Sequence, residues 1–202
     1  MKTALLCVDY TYDFVALDGA LTCGQSALDI YDNILRLCDA PVFSAAYLLN
    51  DSHIAGDVHH PENKLFPAHN VVGSSGAFPY GKLRDSKLPI LPKTRYSAFC
   101  GTSLDLLLRE RMIHRVALCG VCTDICVLHT AIDAYQLSYE IVVVTDAVAT
   151  FNPDGHAFAL QHCAQVLNAS LLTTDEVLAH CENASSKHMK SFDGDNYTAH
   201  IF

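Results

Sequence analysis

Short runs of branched apolar residues recur along this chain with helix-length intervals between them, and that alternation restricts the fold more than any other feature. The runs are Thr3–Val8 and residues 41–48, 115–119, 140–145 and 169–172, with a weaker sixth at 88–91. Each is almost continuously apolar, as strands covered on both faces must be. Between them, residues 24–38, 101–112, 124–137 and 155–167 place apolar side chains at helical spacing. Parallel neighbours need crossovers of about a dozen residues or more, and the intervals supply them. The pattern predicts an α/β fold, a three-layer α/β/α sandwich around a mostly parallel, doubly wound sheet.

With 202 residues, half of them hydrophobic, the chain fits one compact domain that buries its core without disulfides or a structural metal. The domain is expected over residues 1–180, with a polar, patternless tail over 181–202 at the periphery. A net charge of −9 with only 13 Lys and Arg, none of them clustered, argues against nucleic acid as a partner. The N-terminus is apolar only as far as Val8, too short for a signal-peptide core or a membrane span, so the reading is a cytoplasmic protein without a membrane partner. Nine cysteines, an odd number, suit a reducing compartment. Whether the chain self-associates stays open.

One stretch joins a predicted strand to a predicted helix: Gly120-Val121-Cys122-Thr123-Asp124-Ile125-Cys126-Val127. With Thr123 as N-cap, Cys126 falls in the first helical turn, where free backbone N–H groups and the helix dipole favour a thiolate nucleophile. The alternative is a small buried cysteine beneath the sheet. Asp9 and Lys93 each fall just past a predicted strand, and carboxyl ends of parallel strands share one crevice. An acid, an amine and a thiol distant in sequence can therefore meet. Cys119-Gly120-Val121-Cys122 also spells C-x-x-C, but it lacks the helix-opening position of a redox pair and the second ligand pair of a zinc site.

Residues 50–84 form a long interval rich in Gly, Pro and His, of the length that serves function or stays disordered. It contains Asp51-Ser52-His53, then His59-His60-Pro61-Glu62, then His69. Carboxylate and imidazole suit a divalent transition metal, zinc first, with iron and manganese as alternatives, and D-x-H spacing turns two side chains the same way in extended chain. A His-rich surface loop is the other reading.

Taken together, Val8 to Phe14, Asp51-Ser52-His53, His60 to His69, Lys93-Thr94-Arg95-Tyr96-Ser97-Ala98-Phe99 and Gly120 to Val127 resemble the isochorismatase-like cysteine hydrolases, and among them the nicotinamidases. The resemblance runs to about residue 178 and implies an isochorismatase-like fold, an amidohydrolase activity on a small pyridine carboxamide, and one bound metal ion. It assigns Asp9, Lys93 and Cys126 to a catalytic triad, and Asp51, His53 and His69 to the metal, with Glu62 joining in some members. It also implies an oxyanion site from the backbone N–H groups of Cys122 and Cys126. Phe14, Phe66 and Tyr96 become pocket walls, and a cis peptide is expected between Val121 and Cys122. The chain departs from the pattern in three ways. Cys122 stands where a small apolar residue is usual, Thr11-Tyr12 stands where Gln-Asn is common, and there is no Trp. Sister hydrolases acting on other amides, carbamoyl groups or vinyl ethers, and noncatalytic metal-binding relatives, are the alternatives.

Overall fold

The structure is a computed structural model, describing the backbone of residues 1–190 and the side chains of residues 1–182. Six strands, β1 (Thr3–Val8), β2 (Ala45–Asp51), β3 (Ile90–Lys93), β4 (Arg115–Val121), β5 (Glu140–Ala149) and β6 (Ser170–Leu172), pair in the order β3-β2-β1-β4-β5-β6. Every pairing is parallel. The chain winds outward from β1 in one direction and from β4 in the other, so the strand order reverses between β1 and β4. Ligand sites of such sheets form at that reversal, beyond the carboxyl ends of the strands.

Residues of β1 alternate between two cores. Ala4, Leu6 and Val8 enter one apolar cluster with Leu118, Leu104 and Ala131, while Leu5 and Cys7 enter the other with Ile34, Leu37 and Cys119. Helices on both faces close these cores: α1 (Tyr12–Val15), α2 (Gln25–Asp29), α3 (Tyr31–Asp39), α4 (Leu104–Glu110), α5 (Leu128–Gln136), α6 (Pro153–Gln165) and α7 (Thr174–Lys190). This is the expected three-layer sandwich.

The boundaries differ from the sequence reading in places that have local causes. The second strand begins at Ala45, because residues 41–44 turn out of α3 before the ladder starts at Ala4 opposite Ala45. The weak sixth run shifts to Ile90–Lys93, an edge strand that tolerates Pro92 within it. The single helix expected over 24–38 is two, divided at Ile30, whose ψ of −1° interrupts helical geometry. The boundary expected at residue 180 falls inside α7, and Cys181 beyond it is buried in the core. Residues 191–202 of the expected tail lie outside the described residues.

The long interval after β2 is ordered into three 3-10 turns, Pro61–Lys64, Ser75–Ala77 and Gly81–Asp85. A bridge between His53 and Val71 ties the interval to itself, and another between Thr11 and Pro79 ties it to the segment that follows β1. Among the described residues no helix is long and apolar enough to cross a membrane.

Candidate active site

Four strand ends bring the side chains together. Asp9 follows β1 directly in a left-handed conformation, φ 53°, and its N–H continues the ladder to the Leu49 carbonyl at 2.8 Å. Asp51 and Lys93 end β2 and β3 and are register partners. Lys93 was expected just past its strand; it is the strand's last residue, and the pairing with Asp51 explains why the two side chains meet. β4 lies against β1 with Gly120 opposite Val8, where Gly120 has φ 110° and a Cβ would collide with the Val8 carbonyl. Only glycine lets the strands approach so closely at the reversal point.

Past β4 the Val121–Cys122 peptide is cis. A π-type turn, Thr123–Val127, then leads into α5, and the Cys122 carbonyl accepts from both Ile125 and Val127 N–H at 3.1 Å. Such wider turns are common at functional sites. Thr123 is the first helical residue, not the N-cap; that position belongs to Cys122. The Thr123 hydroxyl instead lies 2.9 Å from His156 Nδ1 on α6, which ties the turn to that helix.

Lys93 is the centre of the arrangement. Its Nζ lies 2.8 Å from Asp9 Oδ2, 3.6 Å from Cys126 Sγ, 3.6 Å from Asp51 Oδ1 and 3.1 Å from the Arg95 carbonyl that accepts from it. Asp9 Oδ1 accepts from the Asp51 backbone N–H at 2.7 Å. Asp9, Lys93 and Cys126 are 0 %, 1 % and 6 % exposed, so these charges act with little screening.

Burial sets the protonation states. It pushes the Asp9 carboxyl up to about 6, with Lys93 resisting and the Asp51 charge adding to the rise. Burial also opposes the Lys93 ammonium, but the surrounding carboxylates and Cys126 outweigh it and hold the amine charged. The sequence reading expected a lowered thiol pKa at Cys126. Burial instead pushes the thiol up, Asp9 and Asp51 add to the shift, and Lys93 only partly offsets it. A thiol pushed up in this way needs a base to take its proton during attack.

The second cluster shares Asp51 with the first. Asp51, His53, Glu62 and His69 are all buried, and each offers a ligand atom within 4.8 Å of the others. His53 Nε2 lies 2.5 Å from Asp51 Oδ2, while His69 Nε2 is 3.4 Å from Asp51 Oδ2 and 3.6 Å from Glu62 Oε2. Asp51 Oδ1 and His69 Nε2 are buried without a hydrogen-bond partner, which is costly unless an ion completes them. His69 Nδ1 meets the Pro67 carbonyl at 2.7 Å, the outer contact that fixes a ligand imidazole with its other nitrogen aimed inward. Burial opposes a charged His69, yet Asp51 and Glu62 raise its pKa to about 10, so this point stabilises a positive charge. Asp51 is driven up by burial but held well below the usual carboxylate range by His53, His69 and Lys93. The residues fit a divalent transition metal.

Several supports carry roles that the sequence did not show. His60 accepts from Glu62 N–H through Nδ1 at 3.4 Å and lies 2.8 Å from the Thr94 carbonyl through Nε2, so it caps the turn carrying Glu62. Asp13 Oδ2 accepts from Asn70 N–H at 2.7 Å, and Thr11 donates to Asn70 Oδ1 at 2.8 Å. These bonds anchor the residue after His69; the signal for Thr11 and Asp13 was their place in the Val8–Phe14 stretch. Phe14 and Phe66 flank His69 with centroids at 5.3 and 6.3 Å, and half-buried Tyr96 packs on the cluster that contains Cys126. A cleft of about 570 Å³ opens beside His53, Glu62, Phe66 and His69, with Ile54 and Val58 at its rim.

The chain is similar to named proteins. A profile of the isochorismatase domain matches residues 3–176. A Bacillus subtilis strain 168 protein described as an uncharacterized isochorismatase family protein, PncA, is 50% identical over 181 residues, covering 85% of this chain and 99% of its own. The crystal structure of B. subtilis nicotinamidase/pyrazinamidase PncA superposes with a TM-score of 0.79 at 46% identity, over 85% of this chain and 100% of that one. A pyrazinamidase/nicotinamidase from Streptococcus mutans UA159 gives 0.80 at 46% identity with the same coverage. With the profile spanning most of its length and 50% identity over 85% of the chain, the protein belongs to the isochorismatase family.

Proposed function

We propose that the chain is a nicotinamidase, hydrolysing nicotinamide to nicotinate and ammonia with Cys126 as nucleophile. One observation carries the reading: a single buried amine, Lys93 Nζ, lies within 3.6 Å of the thiol, the carboxylate of Asp9 and the carboxylate of the metal-fitting group. The similarity to structures named nicotinamidase/pyrazinamidase supports it.

Asp9 acts as the base. Its pKa of about 6 leaves it ionised at neutral pH yet basic enough to take the Cys126 proton as sulfur attacks the carboxamide carbon. The carbonyl electrons move to oxygen, which the backbone N–H groups of Cys122 and Cys126 receive. On collapse the carbon–nitrogen bond breaks, and Asp9 returns its proton to the leaving nitrogen as ammonia departs. Asp9 then deprotonates a water that attacks the thioester, and sulfur leaves and recovers a proton. Lys93 keeps its charge throughout and steadies the developing thiolate. Asp51, His53 and His69, with Glu62, would hold the divalent metal. That ion, when bound, supplies a Lewis-acid contact for a ring nitrogen. Phe14, Phe66 and Tyr96 wall the ring.

Ammonia release from nicotinamide by the metal-loaded protein tests the reading; a protein that releases none refutes it. Benzamide has the same shape without the ring nitrogen, and its kcat/KM is expected to be lower. Equal values for the two amides would remove ring-nitrogen recognition from the account.

A further inference from the structure

The thiol of Cys122 has a partner. Cys23 Sγ lies 3.3 Å from Cys122 Sγ, and each residue is 5 % exposed. The residues stand 99 positions apart in sequence, and both sit on irregular backbone. By contrast, Cys7 and Cys119 are register partners inside the β1–β4 ladder, where neither can shift without breaking strand pairing. A disulfide needs its sulfurs at about 2.0 Å, so closure draws the Cys23 and Cys122 segments together by roughly an ångström.

That movement reaches the catalytic site from two sides. Cys122 precedes the turn carrying Cys126, and its carbonyl holds that turn through Ile125 and Val127. Cys23 N–H donates to the Phe14 carbonyl at 2.8 Å, which couples the other segment to a pocket wall. We propose that Cys23 and Cys122 form an oxidisable dithiol, a modification site for a peroxide, whose closure to a disulfide disables the adjoining catalytic turn. The inference rests on the nicotinamidase reading for its effect on activity, but the bond itself does not.

The chemistry balances in two steps. Hydrogen peroxide oxidises one sulfur to a sulfenic acid with release of water; the second sulfur attacks it, the S–S bond forms, and a second water carries away the oxygen. The peroxide is reduced and the two thiols lose two electrons and two protons. The hydrogen bond to Cys23 and burial push the Cys122 thiol up, which lowers its thiolate fraction and slows its oxidation.

The test treats the metal-loaded protein with graded hydrogen peroxide, blocks remaining thiols, maps peptides by mass and assays nicotinamide turnover in parallel. Expected is a Cys23–Cys122 cross-link, with Cys126 still free to alkylate in the inactivated fraction. The fully cross-linked protein should show about a hundredfold loss of kcat, as removal of an oxyanion donor gives. Dithiothreitol should restore turnover. Cys23→Ser, active before treatment, should keep its activity at the dose that inactivates the parent. Turnover before treatment tests the nicotinamidase reading separately. Cys23 and Cys122 alkylating separately in inactivated protein, or a complete cross-link with unchanged kcat, would overturn the proposal.

Discussion

At the scale of single residues, the chemistry depends on polar groups buried beyond the reach of solvent. Cys126→Ala removes the sulfur without disturbing the fold, so kcat should drop by on the order of 10⁴ or more while the melting temperature stays near that of the parent, checked by ammonia assay and calorimetry. Lys93→Ala is a different case. It strands the carboxylates of Asp9 and Asp51, both buried, and should cost about 3–5 kcal/mol in denaturant unfolding as well as activity. Cys119, fully buried in β4, should affect stability alone when replaced by Ala, by about 1 kcal/mol, with turnover retained. Strand ends and D-x-H spacing made Asp9, Lys93, Cys126, Asp51 and His53 legible as candidates, whereas Glu62 and His69 were assigned to the metal by the family resemblance. The sequence could not show that burial would raise the Cys126 thiol pKa, because desolvation depends on what packs around the group and not on its neighbours in sequence.

Among the elements, the β1–β4 pair at the centre of the sheet decides whether the site assembles. Gly120→Ala forces a side chain into the Val8 carbonyl at a positive φ, so at least about 1–3 kcal/mol should be lost together with activity. A Gly120→Ala protein with parental stability and turnover would contradict this placement. The strands were readable because their apolar runs are short and continuous, and every run became a strand. Edges were less readable: β2 starts late because a turn uses residues 41–44, and α2 and α3 divide where no Pro or Gly marks the break. The interval after β2 showed its His and Asp residues but not its 3-10 turns. The course of the interval depends on distant partners: the Thr94 carbonyl meets His60, which caps the first turn, and the Asp13 carboxylate accepts from Asn70 N–H.

For the whole molecule, the metal-fitting group links binding to stability. An ion that binds only the folded chain should stabilise it, by about 2.7 kcal/mol at a hundredfold excess over Kd. Complete chelation should therefore lower the melting temperature and abolish turnover of nicotinamide together, and zinc, iron or manganese should restore both. Activity that survives full metal removal would detach Asp51, His53, Glu62 and His69 from function. The central claim concerns the sulfur, and the most direct measurement is rapid acid quenching of the protein during nicotinamide turnover followed by peptide mass mapping. A nicotinoyl group on Cys126, absent in Cys126→Ala, is the predicted result. Sustained ammonia release by Cys126→Ala, with no acyl group on any cysteine of the parent, would contradict it.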